Sequence, residues 1–175
     1  MERDSLATLP NLLSLSRLGF AAAFVLLKGR DERLLLIAAA GATDFLDGWI
    51  ARRRGTATKW GALIDPVADR FFVFAAVCSL LFDDVISDWQ YAALMFRDFF
   101  TAVGFIVARI VPALRGVTFI ARRSGKVVTV LQLATLALIF LAPQTATPML
   151  ALVAATSVYS VADYTWALYR AGYRA

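Results

Sequence analysis

Histidine is absent from all 175 residues, and the single cysteine, Cys78, lies inside an apolar run. The first absence excludes His-based triads, His-ligated zinc and imidazole acid–base work, leaving carboxylates as the proton acceptors. The second excludes an internal disulfide and assigns Cys78 to packing. Charge is also scarce. Only 18% of residues are Asp, Glu, Lys or Arg against 60% hydrophobic, with a mean hydropathy of +0.68, which lies outside ordinary soluble composition. Long linkers, repeats and low-complexity tracts are missing too, so a single domain over residues 1–175 is expected.

What is present is apolar sequence in blocks about one bilayer thickness long. Candidate spans at about 11–27, 33–51, 67–86, 89–111, 126–142 and 148–168 predict an all-α integral membrane protein with six transmembrane helices. Residues 1–9 hold Glu2, Arg3 and Asp4, too polar to span, and read as a short interfacial helix rather than a cleavable signal.

Cations set the orientation. Arg52, Arg53, Arg54 and Lys59 follow the second span, Arg115, Arg122, Arg123 and Lys126 follow the fourth, and Arg170 and Arg174 close the chain. These segments are expected on the cytoplasmic side, with both termini. The DDVISD turn (83–88) carries no cation and the APQTATP turn (142–148) no charge, which suits the opposite side. Lys28, Arg30 and Arg33 in the first outer turn run against this trend, offset by Asp31 and Glu32. A net charge of +5 then serves anionic headgroups and phosphorylated ligands, with no nucleic acid implied.

The stretch DFLDGWIARRRGTATKWGALIDPVADR (44–70) concentrates charge between apolar blocks. Asp44 and Asp47 are three apart and Asp65 and Asp69 four apart, so each pair shares a helix face. Carboxylates drawn together near a bilayer repel and take up protons unless cations neutralise them. The neighbouring arginines could do so as an interfacial belt. The sharper reading is a divalent metal: four oxygen donors without Cys or His suit Mg²⁺ or Mn²⁺ rather than zinc. Two such ions, about 3.5–4 Å apart, could grip a pyrophosphate, making phosphotransfer the leading chemistry. Gly48 and Gly61 leave room for a ligand or a facing helix, and Gly55 serves the turn or packing.

The pattern Asp44-x-x-Asp47-Gly48-x-x-Ala51-Arg52, eight residues, Gly61-x-x-x-Asp65-x-x-x-Asp69 is similar to the signature of the CDP-alcohol phosphatidyltransferase family. LPNLLSLSRL (9–18) resembles that family's first helix, and Gly125-Lys126-x-x-Thr129-x-x-Gln132 its fifth. The resemblance implies a six-helix membrane fold, a homodimer, and CDP-diacylglycerol bound through its pyrophosphate. It also implies that Asp44, Asp47, Asp65 and Asp69 ligate two metal ions, with Asp69 as base for the acceptor hydroxyl. Gly48, Arg52, Thr58 and Gly61 fall where the family holds the CDP group, and Asn11 and Ser14 where its first helix approaches the nucleotide.

The acceptor must be read from cations outside this stretch. Arg97 is costly in lipid and points to a polar cavity; Arg122 and Lys126 join it as acceptor-binding candidates, while Arg123 reads equally as a positive-inside residue. Arg97 and Asp98 diverge by about 100° on a helix and need not neutralise each other. Family members that take glycerol 3-phosphate show Arg-Glu and a further arginine downstream, where this chain is near Phe105. Arg97-Asp98 resembles instead the members that take phosphatidylglycerol, the cardiolipin synthases, and the reading leans that way; inositol-phosphate acceptors rank third. Ser124-Gly125-Lys126 lacks the frame of a nucleotide-binding P-loop. A divalent-cation channel or transporter is the rival class, but it expects ionisable groups spread through the bilayer depth.

Overall fold

The computed structural model describes residues 9–54, 61–110 and 123–172, with side chains chiefly over 15–46, 70–104 and 127–166. Among these residues all regular structure is helical: α1 (Leu9–Leu26), α2 (Arg30–Arg54), α3 (Gly61–Phe82), α4 (Asp88–Ile110), α5 (Arg123–Leu141) and α6 (Ala146–Gly172), with a short 3-10 turn at Pro143–Thr145. The interfacial helix expected over residues 1–9 lies outside the described residues except for Leu9.

The helices form two compact units, residues 1–86 and 87–175. In the first, α1 packs against both α2 and α3. Its buried stripe is Arg17, Ala21 and Phe24, and that of α2 is Arg33, Ile37 and Ala40, both at the i, i+4, i+7 spacing of one helix face. The broader buried face of α3 includes Phe72, Val73, Ala76, Val77 and Leu80. Phe24 meets Phe72 edge to face, with ring centroids 6.1 Å apart. In the second unit α6 packs against both α4 and α5. Ala146, Leu150, Val153, Ser157 and Ser160 form its buried stripe, and small residues there let neighbouring helices approach closely.

The ends of the helices are written in local sequence. Ser87-Asp88-Trp89-Gln90 opens α4 as half of a capping box: Gln90 accepts from the Ser87 amide at 2.9 Å. Glu32 reaches back to the Gly29 amide at 3.3 Å before α2 in the same way. The expected third span runs to residue 86, because Val85 and Ile86 are apolar. The helix instead stops at Phe82, where the Val85 amide bonds the Leu80 carbonyl at 2.9 Å and the Asp84 amide bonds that of Leu81 at 3.1 Å. This is a Schellman closure, and Asp84 takes its left-handed position with φ of 56°. Ile86 is then folded back into the core. At its start the third helix reaches back to Gly61, so Asp65 and Asp69 both lie within it.

Among the described residues one helical stretch, Pro143–Trp166, is long and apolar enough to cross a membrane; Leu15–Leu26, Arg70–Phe82 and Val127–Leu141 are shorter apolar segments. In α2, charged residues at both ends, from Arg30 to Arg33 and from Asp44 to Arg54, confine the uncharged stretch to residues 34–43.

Candidate active site

Two arginines organise the first unit from within. Arg33 is 2% exposed, a position an arginine occupies only when its charge and donors are satisfied. Its Nε donates to the Leu27 carbonyl at 3.0 Å, and Nη2 donates to Ser79 Oγ at 3.0 Å and to the Asp83 carboxylate. Its guanidinium carbon lies 5.0 Å from the centre of the Phe24 ring. Lys28 Nζ donates to both Asp83 oxygens, at 2.7 and 2.9 Å. These hydrogen bonds, Lys28 first and then Arg33, hold the Asp83 carboxyl below the usual aspartate range and outweigh the desolvation that would raise it. Two of the three outer-turn cations, Lys28 and Arg33, therefore find their partner in the DDVISD turn. Asp31 and Glu32, the offset expected from the sequence, sit in the first turn of α2, and Glu32 turns back on the Gly29 amide.

Arg17 is the second of the two, 1% exposed on α1. Its Nη1 lies 3.5 Å from Asp44 Oδ1, while the Asp44 side chain remains about half exposed. Eleven residues separate Arg33 from Asp44 along α2, a rise of about 16 Å, so the Lys28–Arg33–Asp83 clasp sits at the start of that helix and Asp44 and Asp47 lie toward its end. A buried cation beside Asp44 offsets part of that carboxylate's charge. Sequence reasoning singles out Asn11 and Ser14 of the first helix and passes over Arg17; the usable signal was an arginine inside an apolar helix.

Asp44 is the one signature aspartate whose side chain is described. Asp47, Gly48 and Arg52 follow it on α2, and Gly61, Asp65 and Asp69 lie on α3. Asn11 and Ser14 belong to α1, and Lys126 to the first turn of α5. Thr58 and Arg122 lie outside the described residues. Among the described residues no group of three or more acidic, Cys or His side chains could hold a metal. The donor set nonetheless fits a hard divalent cation in its chemistry, being oxygen only, with the Asp44 carboxylate open to solvent.

The second unit carries a buried polar cluster around Arg97, which is 5% exposed. Arg97 Nη1 donates to Thr129 Oγ1 at 3.3 Å and to Asp98 Oδ1 at 3.4 Å. The adjacent pair does meet, because the long arginine side chain curls back across the 100° that separates the two Cβ directions. Gln132 Nε2 donates to Asp98 Oδ2 at 2.9 Å and to the Leu94 carbonyl at 2.6 Å. Thr129 Oγ1 in turn donates to the Gly125 carbonyl at 3.2 Å. A separate groove of about 540 Å³ runs between Phe96 of α4 and Val158, Val161, Trp166 and Tyr169 of α6. Its lining holds no carboxylate or cation, so it offers a surface for hydrocarbon rather than for chemistry.

The family model for CDP-alcohol phosphatidyltransferases matches residues 7–162, which includes the whole of the spaced aspartate pattern.

The chain belongs to the CDP-alcohol phosphatidyltransferase family.

This is a membrane-associated family. Three relatives show its range. A Drosophila melanogaster protein named probable cardiolipin synthase (CMP-forming) is 38% identical over 111 residues, covering 61% of this chain and 34% of the fly protein. The Streptomyces coelicolor cardiolipin synthase (CMP-forming) is 32% identical over 107 residues, 56% of this chain and 50% of that one. The Rickettsia felis CDP-diacylglycerol–glycerol-3-phosphate 3-phosphatidyltransferase is 30% identical over 139 residues, 76% of this chain and 75% of the relative. The chain thus spans between a third and a half of the two cardiolipin synthases it matches.

Proposed function

We propose that this member of the family transfers a phosphatidyl group from CDP-diacylglycerol to a glycerol-type hydroxyl and releases CMP. The observation that carries this reading is the family match over residues 7–162, within which all eight signature positions stand at their spacing. Asp44, Asp47, Asp65 and Asp69 would hold two Mg²⁺ or Mn²⁺ ions. When bound, such ions supply Lewis-acid charge stabilisation to a pyrophosphate.

The chain's own residues account for the rest. Arg52 offers a fork of donors matched to a phosphate, and Gly48, Gly61, Thr58, Asn11 and Ser14 shape the nucleotide site. Asp69 accepts the proton of the acceptor hydroxyl as its oxygen forms a bond to the β-phosphorus. The bond from that phosphorus to the bridging oxygen breaks, and CMP leaves with the electron pair. A carboxylate is a weak base, with an ordinary pKa of about 3.9, so proton removal is concerted with attack rather than prior to it.

Arg97, with Arg122 and Lys126, is assigned to the acceptor. Phosphatidylglycerol is the favoured acceptor, supported by Arg97-Asp98 and by the names of the fly and Streptomyces relatives. Glycerol 3-phosphate is the second reading, supported by the rickettsial relative, whose match covers more of both chains. The protein is further proposed to cross the membrane six times, with both termini and the active site cytoplasmic, and to act as a homodimer.

The test is CMP release by the purified chain with CDP-diacylglycerol and Mg²⁺, against phosphatidylglycerol, glycerol 3-phosphate, inositol phosphate and serine, with products identified by mass. Turnover with one glycerol-type acceptor, abolished by chelation of Mg²⁺ and reduced about a hundredfold or more by Asp69→Asn, is expected. Full CMP release by a folded D69N protein would remove Asp69 as base. Mg²⁺ flux across vesicles without consumption of any CDP-lipid would replace the enzyme with a channel.

A further inference from the structure

Gly125 enters the Arg97 cluster twice. Its carbonyl accepts from Thr129 Oγ1 at 3.2 Å, and Thr129 Oγ1 in turn accepts from Arg97 Nη1 at 3.3 Å. Its missing side chain matters as much: a Cβ at this position would lie 2.6 Å from Arg97 Nη2 and 3.2 Å from the Tyr164 hydroxyl. The guanidinium therefore rests edge-on against the first turn of α5, in space that only glycine leaves open. Behind it, Gln132 holds Asp98 and the Leu94 carbonyl together, and Asp98 with Thr129 fixes Nη1.

We infer that Gly125 and Thr129 are positioning residues that set the Arg97 guanidinium for the acceptor, and so determine acceptor affinity. The inference rests on the assignment of Arg97 to the acceptor made above. The atom a new Cβ would strike is the far end of a flexible side chain. Backbone packing at Gly125 need not change, so Gly125→Ala displaces the guanidinium by about an ångström at little cost to folding. Misplacing a positioned group by about an ångström can cost up to about a hundredfold. Thr129→Val keeps the shape of the side chain and removes its hydroxyl, taking away one of the acceptors that hold Nη1.

The experiment is steady-state CMP release by the full chain, with acceptor KM, CDP-diacylglycerol KM and kcat measured separately for wild type, G125A, T129V and R97K. The doubles G125A/R97K and T129V/R97K complete two cycles. G125A is expected to raise acceptor KM about tenfold, with CDP-diacylglycerol KM within about twofold of wild type. T129V should raise it about threefold. Lysine has no Nη2 for a Cβ to strike and no Nη1 for Thr129 to hold. In the R97K background each substitution should therefore add less than about twofold. The inference is overturned if the G125A or T129V effect is undiminished by R97K, if it falls equally on CDP-diacylglycerol, or if both variants behave as wild type. If G125A does not fold, the T129V cycle alone decides between these outcomes. An unchanged acceptor KM in R97K itself would sink the assignment of Arg97. A raised KM in R97K with fully additive doubles would leave that assignment standing and sink only the positioning role.

Discussion

Asp84 stands at the left-handed position of the α3 closure with φ of 56°, where a side chain costs energy unless it is a short Asn or Asp, and where glycine sits freely. Its amide, with that of Val85, satisfies two carbonyls at the helix end. Asp84→Val places a β-branched side chain in that conformation and is expected to lower stability by about 1–2 kcal/mol. Asp84→Gly should leave it equal or slightly higher. Thermal unfolding in detergent, comparing the two variants with wild type, reads the difference; equal midpoints for Val and Gly would remove the backbone argument. Arg17 and Arg33 are constrained at the same scale. A guanidinium at 1–2% exposure demands partners, and those partners lie outside its own helix.

At the scale of the elements, Lys28, Arg33 and Asp83 tie together the turn before α2, α2 itself and the end of α3. Where lipid surrounds helices, apolar contacts such as Phe24 on Phe72 gain little over contact with acyl chains, so polar ties weigh more. The two cations differ in burial: the Lys28 side chain is 58% exposed and that of Arg33 is 2% exposed. Removing the exposed partner, by Lys28→Met, is expected to cost less than about 1 kcal/mol. Asp83→Asn strands the buried Arg33 charge and is expected to cost about 3 kcal/mol. The pH dependence has a definite sign. Asp83 titrates below its ordinary value of about 3.9, so its contribution is complete above that pH. It fades as pH falls through the lower folded value. The gap in melting temperature between wild type and D83N should hold steady from about pH 7 to 5 and shrink below about pH 4. A gap that widens on acidification would contradict the clasp.

At the scale of the whole molecule, the described residues leave large apolar side chains outside and draw several polar ones within. Leu26, Leu35, Phe82, Phe99 and Val130 are exposed while Arg17, Arg33, Arg97, Gln132 and Thr135 are buried. Exposed apolar surface on this scale needs a covering, and hydrocarbon supplies it for the six-span topology proposed above. One native cysteine makes the topology directly testable. In a Cys78→Ser background, cysteines placed at Ala57, Val85 and Gln144 should divide into two classes. The first should react with a membrane-impermeant maleimide only in inside-out vesicles, and the other two only in intact cells. Labelling of positions 57 and 85 from the same side would exclude an odd number of crossings between them and require a different arrangement of spans.

The aspartate spacing and the helical class were legible in the chain, and the candidate site residues rest on that spacing. The ends of α4 fall within one residue of the expected span, because they depend on residues three or four apart and on an apolar block, whereas α2 runs three residues past the expected 33–51 at each end. The overrun of the third span came from the same kind of reading, since apolar Val85 and Ile86 look like span until the Schellman turn folds them back. Partner choice was a different matter. Arg17 finds Asp44 across 27 residues, Lys28 finds Asp83 across 55, and Gln132 finds Asp98 across 34. Which carboxylate neutralises which cation depends on which helix lies against which, and on the side chain left out at Gly125. Spacing along a chain carries short-range geometry, whereas the pairing of buried charges is settled only when packing removes water and brings particular partners within reach.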